Sequence, residues 1–304
     1  MNIAEHAYYV KLIRESSSVL EPLPVTLDDE WKALVPKKNT PALRGIRAVL
    51  FDLYGTLFIS AAGEISAGTA EENTPLFCDE IKEMNEYFRQ AVRFHHNKAK
   101  AEGIAWPEVR AEEIWAAYKG KIPEAWILPQ RLRANSEKIG KRAALRCAGR
   151  ELALRFELAC NPVYPMPNAE QMLRKLAQDG IILGIISNAQ FYTPLLFNAF
   201  FNAAPQEMGF DPELCIYSYE ENEAKPSSAL FAKALKYLTQ CKIKPEEILY
   251  IGNDMKNDIV PAADAGFRTA LFAGDRRSLR LRNDEPSCKG KKPAIVLENF
   301  AELV

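Results

Sequence analysis

The four-residue run Ala48-Val49-Leu50-Phe51, closed by Asp52 and then by Gly55-Thr56, constrains this chain more than any other stretch. Four apolar residues in a row suit a strand buried on both faces, and the glycine forces a turn soon after it. In an open parallel sheet, ligands sit beyond the carboxyl ends of the strands, so Asp52 stands where a reactive group belongs. A carboxylate so placed can attack an electrophilic phosphorus or carbon atom and form a covalent intermediate. Alone, a strand-end aspartate is better read as a cap on the turn that follows. Three later stretches shift that balance.

The first is the strand pattern Ile181 to Ile186, closed by Ser187-Asn188. The second is Lys225-Pro226, where proline holds the lysine on an extended segment leading into a helix. The third is the strand Ile248 to Ile251, followed by Gly252-Asn253-Asp254-Met255-Lys256-Asn257-Asp258. The Ser187 hydroxyl suits a phosphoryl or carboxylate oxygen, its plainer role being a helix N-cap. Asn188 suits a substrate contact or a brace for its own loop. Lys225 offers an ammonium to offset Asp52 and an anionic transition state; its plainer role is a surface lysine. Asp254 and Asp258 are four apart, which on a helical turn puts both carboxylates on one face. With Asp52 they make a hard-oxygen set suited to Mg²⁺, and otherwise they cap the next helix. Thr56 suits a carboxylate or phosphate oxygen, or a bond to the turn backbone.

In this order, the four stretches resemble the four motifs of the haloacid dehalogenase-like (HAD) hydrolase superfamily. The resemblance runs from about Gly45 to the C-terminus. It implies an α/β fold: a doubly wound, Rossmann-like parallel-sheet core with an inserted helical cap of the C1 type. It implies Asp52 as nucleophile, with Lys225 and Ser187 as catalytic partners. Thr56, Asn188 and Tyr54 are the implied substrate contacts, and Asp52, Tyr54, Asp254 and Asp258 the implied Mg²⁺ ligands. Asn253 competes with Asp254 for the first acidic place of the fourth motif.

The family's phosphatases carry a second aspartate two residues after the nucleophile, which protonates the leaving oxygen and activates water. Here Tyr54 stands in that place. A phenol with an ordinary pKa of about 10 is a poor base at neutral pH. The pattern Asp-x-Tyr-Gly-Thr resembles instead the 2-haloacid dehalogenases, whose halide leaves without a proton and which need no Mg²⁺. Those enzymes also carry a tyrosine six residues after the motif's lysine, where this chain has Phe231. They use a lid arginine for the halide, for which Arg89 and Arg93 are the candidates. The resulting order of expectation is Mg²⁺-assisted hydrolysis of a small phosphomonoester, then carbon–halogen hydrolysis. Third is a non-catalytic role binding a phosphorylated ligand or a partner.

Residues 1–44 precede the core as an extension. Ala7 to Val19 reads as a helix with Tyr8, Leu12, Ile13 and Val19 on one side, followed by Pro22, Pro24, Pro36 and Pro41. It is expected to pack on the domain's own surface rather than to cover the site or reach a partner in a homo-oligomer. Residues 45–60 and 164–304 form the expected core, and 61–163 the cap. The cap opens with a loop at 61–73, then helices over Asp79–Glu102, Pro107–Lys119 and Asn135–Cys160. A lid of that length suits a small-molecule substrate. Beyond it helix and strand alternate, the signature of a parallel sheet covered on both faces.

With 39 basic against 40 acidic side chains, charge gives no case for nucleic acid or an anionic membrane surface. Six cysteines with no C-x-x-C pair and no metal spacing read as reduced thiols in a cytoplasmic protein. The first residues lack a signal-peptide pattern, and no apolar run has the length of a bilayer span.

Overall fold

The computed structural model describes residues 1–36, 43–65, 78–123, 126 and 141–303. Its strands are β1 (Ala48–Phe51), β2 (Phe58–Ser60), β3 (Val163–Pro165) and β4 (Ile182–Ser187), then β5 (Phe210–Tyr217), β6 (Ile248–Gly252), β7 (Arg268–Phe272) and β8 (Ile295–Leu297). Six of them form one parallel sheet in the order β5-β4-β1-β6-β7-β8. Alternate residues of β1 feed two different cores: Val49 and Phe51 enter one, Ala48 and Leu50 the other. Burial on both faces is what an uninterrupted apolar strand demands. Because β4 and β6 flank β1, the chain order reverses at β1, and the sheet splits its connections there.

At the N-terminus, α1 (Ile3–Ser16) starts earlier than its apolar pattern indicates, because Asn2 caps the Glu5 N–H. It also stops short of Val19, which is exposed. A short helix, α2 (Asp29–Lys32), is capped by Asp28 and buries Trp31 against Met255, Ile259 and Val296. The insertion contributes α3 (Asp79–Ala101), α4 (Ala111–Ala117) and α5 (Lys141–Cys160). The expected cap residue Asp79 is instead the first helical residue of α3, behind Cys78. Pro107 lies outside α4, on an extended segment that bridges antiparallel to Glu223. Trp115 is stacked on Phe88 and packed 4.7 Å from Phe156, so one aromatic cluster joins all three helices. Each such ring buries roughly 150–250 Å². The antiparallel pair β2 and β3 forms the way out to the insertion and the way back. Much of the expected 61–73 loop, and the start of the expected third helix, lie outside the described residues.

The core helices are α6 (Ala169–Gln178), α7 (Leu195–Phe201), α8 (Ser218–Glu221), α9 (Ser228–Gln240) and α10 (Val260–Asp264). Helix α1 packs on the chain's own surface, as expected, and it also ties two layers together. Arg14 donates to the carbonyls of Asn198 and Ala199 on α7, while the Tyr8 hydroxyl donates to Glu151 on α5 at 2.6 Å. Among the described residues no helix is long and apolar enough to cross a membrane.

Candidate active site

Strand β1 delivers Asp52 to the point where the strand order reverses, the place where open α/β sheets bind ligands. The Asp52 N–H still donates to the Ile251 carbonyl at 2.9 Å, so its carboxylate is the first group beyond the sheet. Gly55, at φ +82°, turns the chain immediately afterwards. A Cβ there would lie 2.4 Å from the Ser278 Cβ and 2.8 Å from the Asn253 Nδ2, so this approach requires glycine. Ser187 closes β4 and donates its hydroxyl to Asp52 Oδ1 at 2.8 Å. It does not cap a helix, since α7 begins only at Leu195.

Lys225 is buried, and its ammonium joins Asp52 Oδ1 at 2.7 Å to Asp258 Oδ1 at 2.6 Å. Burial by itself would lower the lysine's pKa; Asp258 and Asp52 override it and raise it, so the ammonium stays charged. Asn188, expected to touch substrate, lines the cavity and also accepts the Lys225 N–H at 2.7 Å, which fixes the lysine's backbone. Asp258 accepts from the Tyr250 hydroxyl at 3.0 Å and from the Asp254 N–H at 2.9 Å. Burial drives its pKa up, to about 7, against the pull of Lys225, and Asp52 adds to the rise. Asp52 Oδ2 accepts no hydrogen bond from the described residues.

The expected metal set Asp52, Tyr54, Asp254 and Asp258 lines one cavity. The four-residue spacing of Asp254 and Asp258 assumed that both sit on a helical turn. Asp254 is instead the extended N-cap of a wide turn, Met255–Ile259, and only Asp258 lies within it. The Asp254 carboxylate accepts from the Lys256 and Asn257 N–H groups and from Arg282, whose Nη2 is 2.6 Å from Oδ2. Among the described residues no group of three or more His, Cys, Asp or Glu side chains is arranged to hold a metal ion. Asn253 bonds elsewhere: its Oδ1 accepts from Thr56 at 3.0 Å and its Nδ2 donates to the Ser278 carbonyl. Thr56 is fully buried and acts on Asn253, so its hydroxyl braces two loops and does not face the cavity.

The Tyr54 phenol is buried and lies 3.0 Å from the Thr193 hydroxyl. Burial raises its pKa well above 10, Glu157 and Asp52 add to the rise, and it remains neutral. Thr193 in turn accepts from the Gln190 N–H, and the Gln190 side chain bonds to Val109 and Ala111 of the insertion. Arg89 and Arg93 lie exposed on α3, outside the cavity wall. Asp52, Tyr54, Asn188, Lys225, Asn253, Asp254 and Asp258 do line one cavity of about 70 Å³, with Gly63, Glu64, Ile65 and Arg280 among the other walls. A wider groove of about 990 Å³, between Leu20, Pro165 and α6, holds none of the motif residues.

Three participants escape a sequence reading. Tyr250 sits in β6, where a tyrosine reads as core, yet its hydroxyl lies within hydrogen-bond distance of both Asp258 and the Ile186 carbonyl. Phe231, in the place where the dehalogenase pattern has a tyrosine, packs its ring 5.2 Å from Tyr250, so the phenol near Lys225 comes from the strand instead. Arg282 and Arg280 come from the loop after β7, with no spacing rule that links them to the fourth motif.

The model of the haloacid dehalogenase-like hydrolases matches residues 46–266, and the chain belongs to that family of hydrolases. The rhythmically expressed gene 2 protein of Drosophila melanogaster is 30% identical over 102 residues, which take in 34% of this chain and 37% of that relative. Similar solved structures include a 2-haloacid dehalogenase from Pseudomonas syringae, 18% identical, with a TM-score of 0.48 over 85% of this chain and 96% of the other. A predicted phosphoglycolate phosphatase from Haemophilus somnus is 17% identical, with a TM-score of 0.45 over 85% and 96%.

Proposed function

We propose that this hydrolase acts on a small substrate by direct displacement at carbon, without a metal ion. Asp52 Oδ2 attacks the carbon and a leaving group such as halide departs with the bonding electron pair. Water then cleaves the aspartyl ester, releasing the alcohol and regenerating the Asp52 carboxylate, with one proton passing to a base. Asp258 suits that base, since it lines the cavity with a pKa near neutrality. Short 2-halo carboxylic acids fit this chemistry, and a cavity of about 70 Å³ suits a substrate of that size.

One observation carries the reading: Asp52 and the two carboxylates near it are already engaged by protein cations. Lys225 serves Asp52 and Asp258, and Arg282 serves Asp254. Mg²⁺ fits this donor set poorly, because it needs several oxygens in near-octahedral array and both further carboxylates are engaged. Tyr54 agrees with the reading, because a neutral phenol bonded to Thr193 is a weak proton donor for an alkoxide, and halide needs none.

Mg²⁺-assisted phosphomonoester hydrolysis is the second reading, and one observation favours it. Asn253 and Asp254, the two candidates for the motif's first acidic place, are oxygen donors that both line the cavity with Asp52. The test is a turnover panel of short 2-halo acids and small phosphomonoesters, each with Mg²⁺ and with chelator, and with Asp52→Asn as control. Halide release that survives chelator and vanishes in the mutant is expected. Phosphate release that depends on Mg²⁺, with no halide release, would replace the first reading with the second.

A further inference from the structure

Lys225 is not available to receive a substrate's anionic group. An ammonium has three N–H bonds, and Asp52, Asp258 and Tyr250 take them at 2.7, 2.6 and 3.3 Å. An anionic substrate must still approach the Asp52 carboxylate, so a second cation has to offset that repulsion. Among the described residues on the cavity wall, the other cation is Arg280.

Its guanidinium is held from two sides. Nη1 donates to the carbonyls of Arg277 at 2.6 Å and Leu279 at 3.2 Å. On the other side lies Gly63, at φ +82°, where a Cβ would come within 2.4 Å of Nη2. The backbone beneath it is fixed as well: the Arg280 N–H donates to the Asn253 carbonyl, and the Arg280 carbonyl accepts from Met255, each at 2.9 Å. Nearby carboxylates have other partners. Asp254 is paired with Arg282 and Asp275 with Arg277. Glu64 shares the cavity wall but forms no ion pair with Arg280. Nε and Nη2 therefore have no acceptor among the described residues.

We propose that Arg280 binds an oxyanion of the substrate, carboxylate or phosphate, through Nε and Nη2, and so aims the electrophilic atom at Asp52. A planar fork of two N–H donors matches an oxyanion geometrically, which an ammonium does not. The proposal rests on Asp52 being the nucleophile for a small substrate. It makes Arg280 a specificity-determining residue, supplied by the loop after β7 and not by the helical insertion.

The test measures equilibrium binding of two inert probes, propanoate and inorganic phosphate, by calorimetry on the full chain. The proteins compared are wild type, Asp52→Asn, Arg280→Met and Arg280→Lys. Wild type and Asp52→Asn are expected to bind at least one probe. Arg280→Met should lose at least tenfold in affinity, and Arg280→Lys should keep the charge but recover only part of the binding. Which probe binds tells carboxylate from phosphate. Equal affinity in wild type and both Arg280 variants would overturn the proposal, as would a wild type that binds neither anion in the millimolar range. Should Arg280→Met fail to fold, the comparison of wild type with Arg280→Lys decides alone. A silent turnover panel with the binding contrast intact would sink the displacement reading and leave the anion site standing.

Discussion

Asp254 and Asp258 stand four residues apart beyond β6, yet their surroundings differ. Asp258 is buried with Lys225 and Tyr250 beside Asp52 on the cavity wall, and the Lys225 and Asp258 side chains are 3% and 1% exposed. Asp254 is also buried, at 8%, but its partner Arg282 has a side chain that is 35% exposed. A charge pair sealed in protein is costly to break, because removing one partner strands the other in a poor solvent. Where one partner reaches solvent, water screens the pair. The Lys225 cluster is therefore the harder of the two to take apart, and the Asp254–Arg282 pair the easier.

Lys225→Met should separate the two regions most sharply. It leaves Asp52 and Asp258 without their shared cation, and a loss of about 3–5 kcal/mol in a denaturant titration is expected. Turnover should fall on the order of a thousandfold, as for removal of a key charge-stabilising group.

The pH profile should report the Lys225 cluster next. Asp258 has a folded pKa of about 7 against an ordinary 3.8, so the folded chain holds this proton where the unfolded chain has released it. Its contribution to stability is complete below about pH 4 and fades as pH rises through about 7. Activity runs the opposite way, since the base works only when ionised: kcat/KM should climb through about pH 7. Asp258→Asn should be slow and should lack that limb. A mutant with wild-type rate and profile would remove Asp258 from the mechanism.

The Asp254–Arg282 pair should respond least. Arg282→Gln is expected to cost about 1–3 kcal/mol of stability, since the buried Asp254 carboxylate loses its cation but keeps its N–H donors, and to leave chelator-treated activity close to that of wild type. It also takes the cation from the Asp254 oxygens, which keep their Lys256 and Asn257 donors. Mg²⁺ titrations monitored by calorimetry should therefore give heat with this variant and little with wild type. Equal Mg²⁺ binding by both would mean that Arg282 does not occupy the carboxylate as described.

What the sequence carries and what it conceals follow the same division. Asp52, Ser187 and Asn188 are legible because each closes an apolar run, and strand ends in a parallel sheet converge. Lys225 is legible through the proline that follows it. Asp254 is legible as a position but not in its geometry, because a helical spacing rule says nothing once its residue is the extended cap of a wide turn. Arg282 and Arg280 are hidden because they come from a loop more than 20 residues downstream and reach the motif only through folding. Tyr250 is concealed by its strand: its ring belongs to the core with Phe231 while its hydroxyl serves the site. Thr56 and Tyr54 were found as positions, but the direction of a hydroxyl is set by Asn253 and Thr193, distant in sequence from both.

The most direct measurement is a single turnover of a short 2-halo acid in ¹⁸O water, with excess enzyme and chelator, followed by mass spectrometry of the peptide that contains Asp52. Attack of water on the carbonyl of an aspartyl ester puts ¹⁸O into Asp52 and leaves the first product molecule unlabelled. That pattern, obtained without metal, is the predicted result. Label in the first product with none in Asp52 would mean that water attacks the substrate directly, and would contradict the covalent role of Asp52.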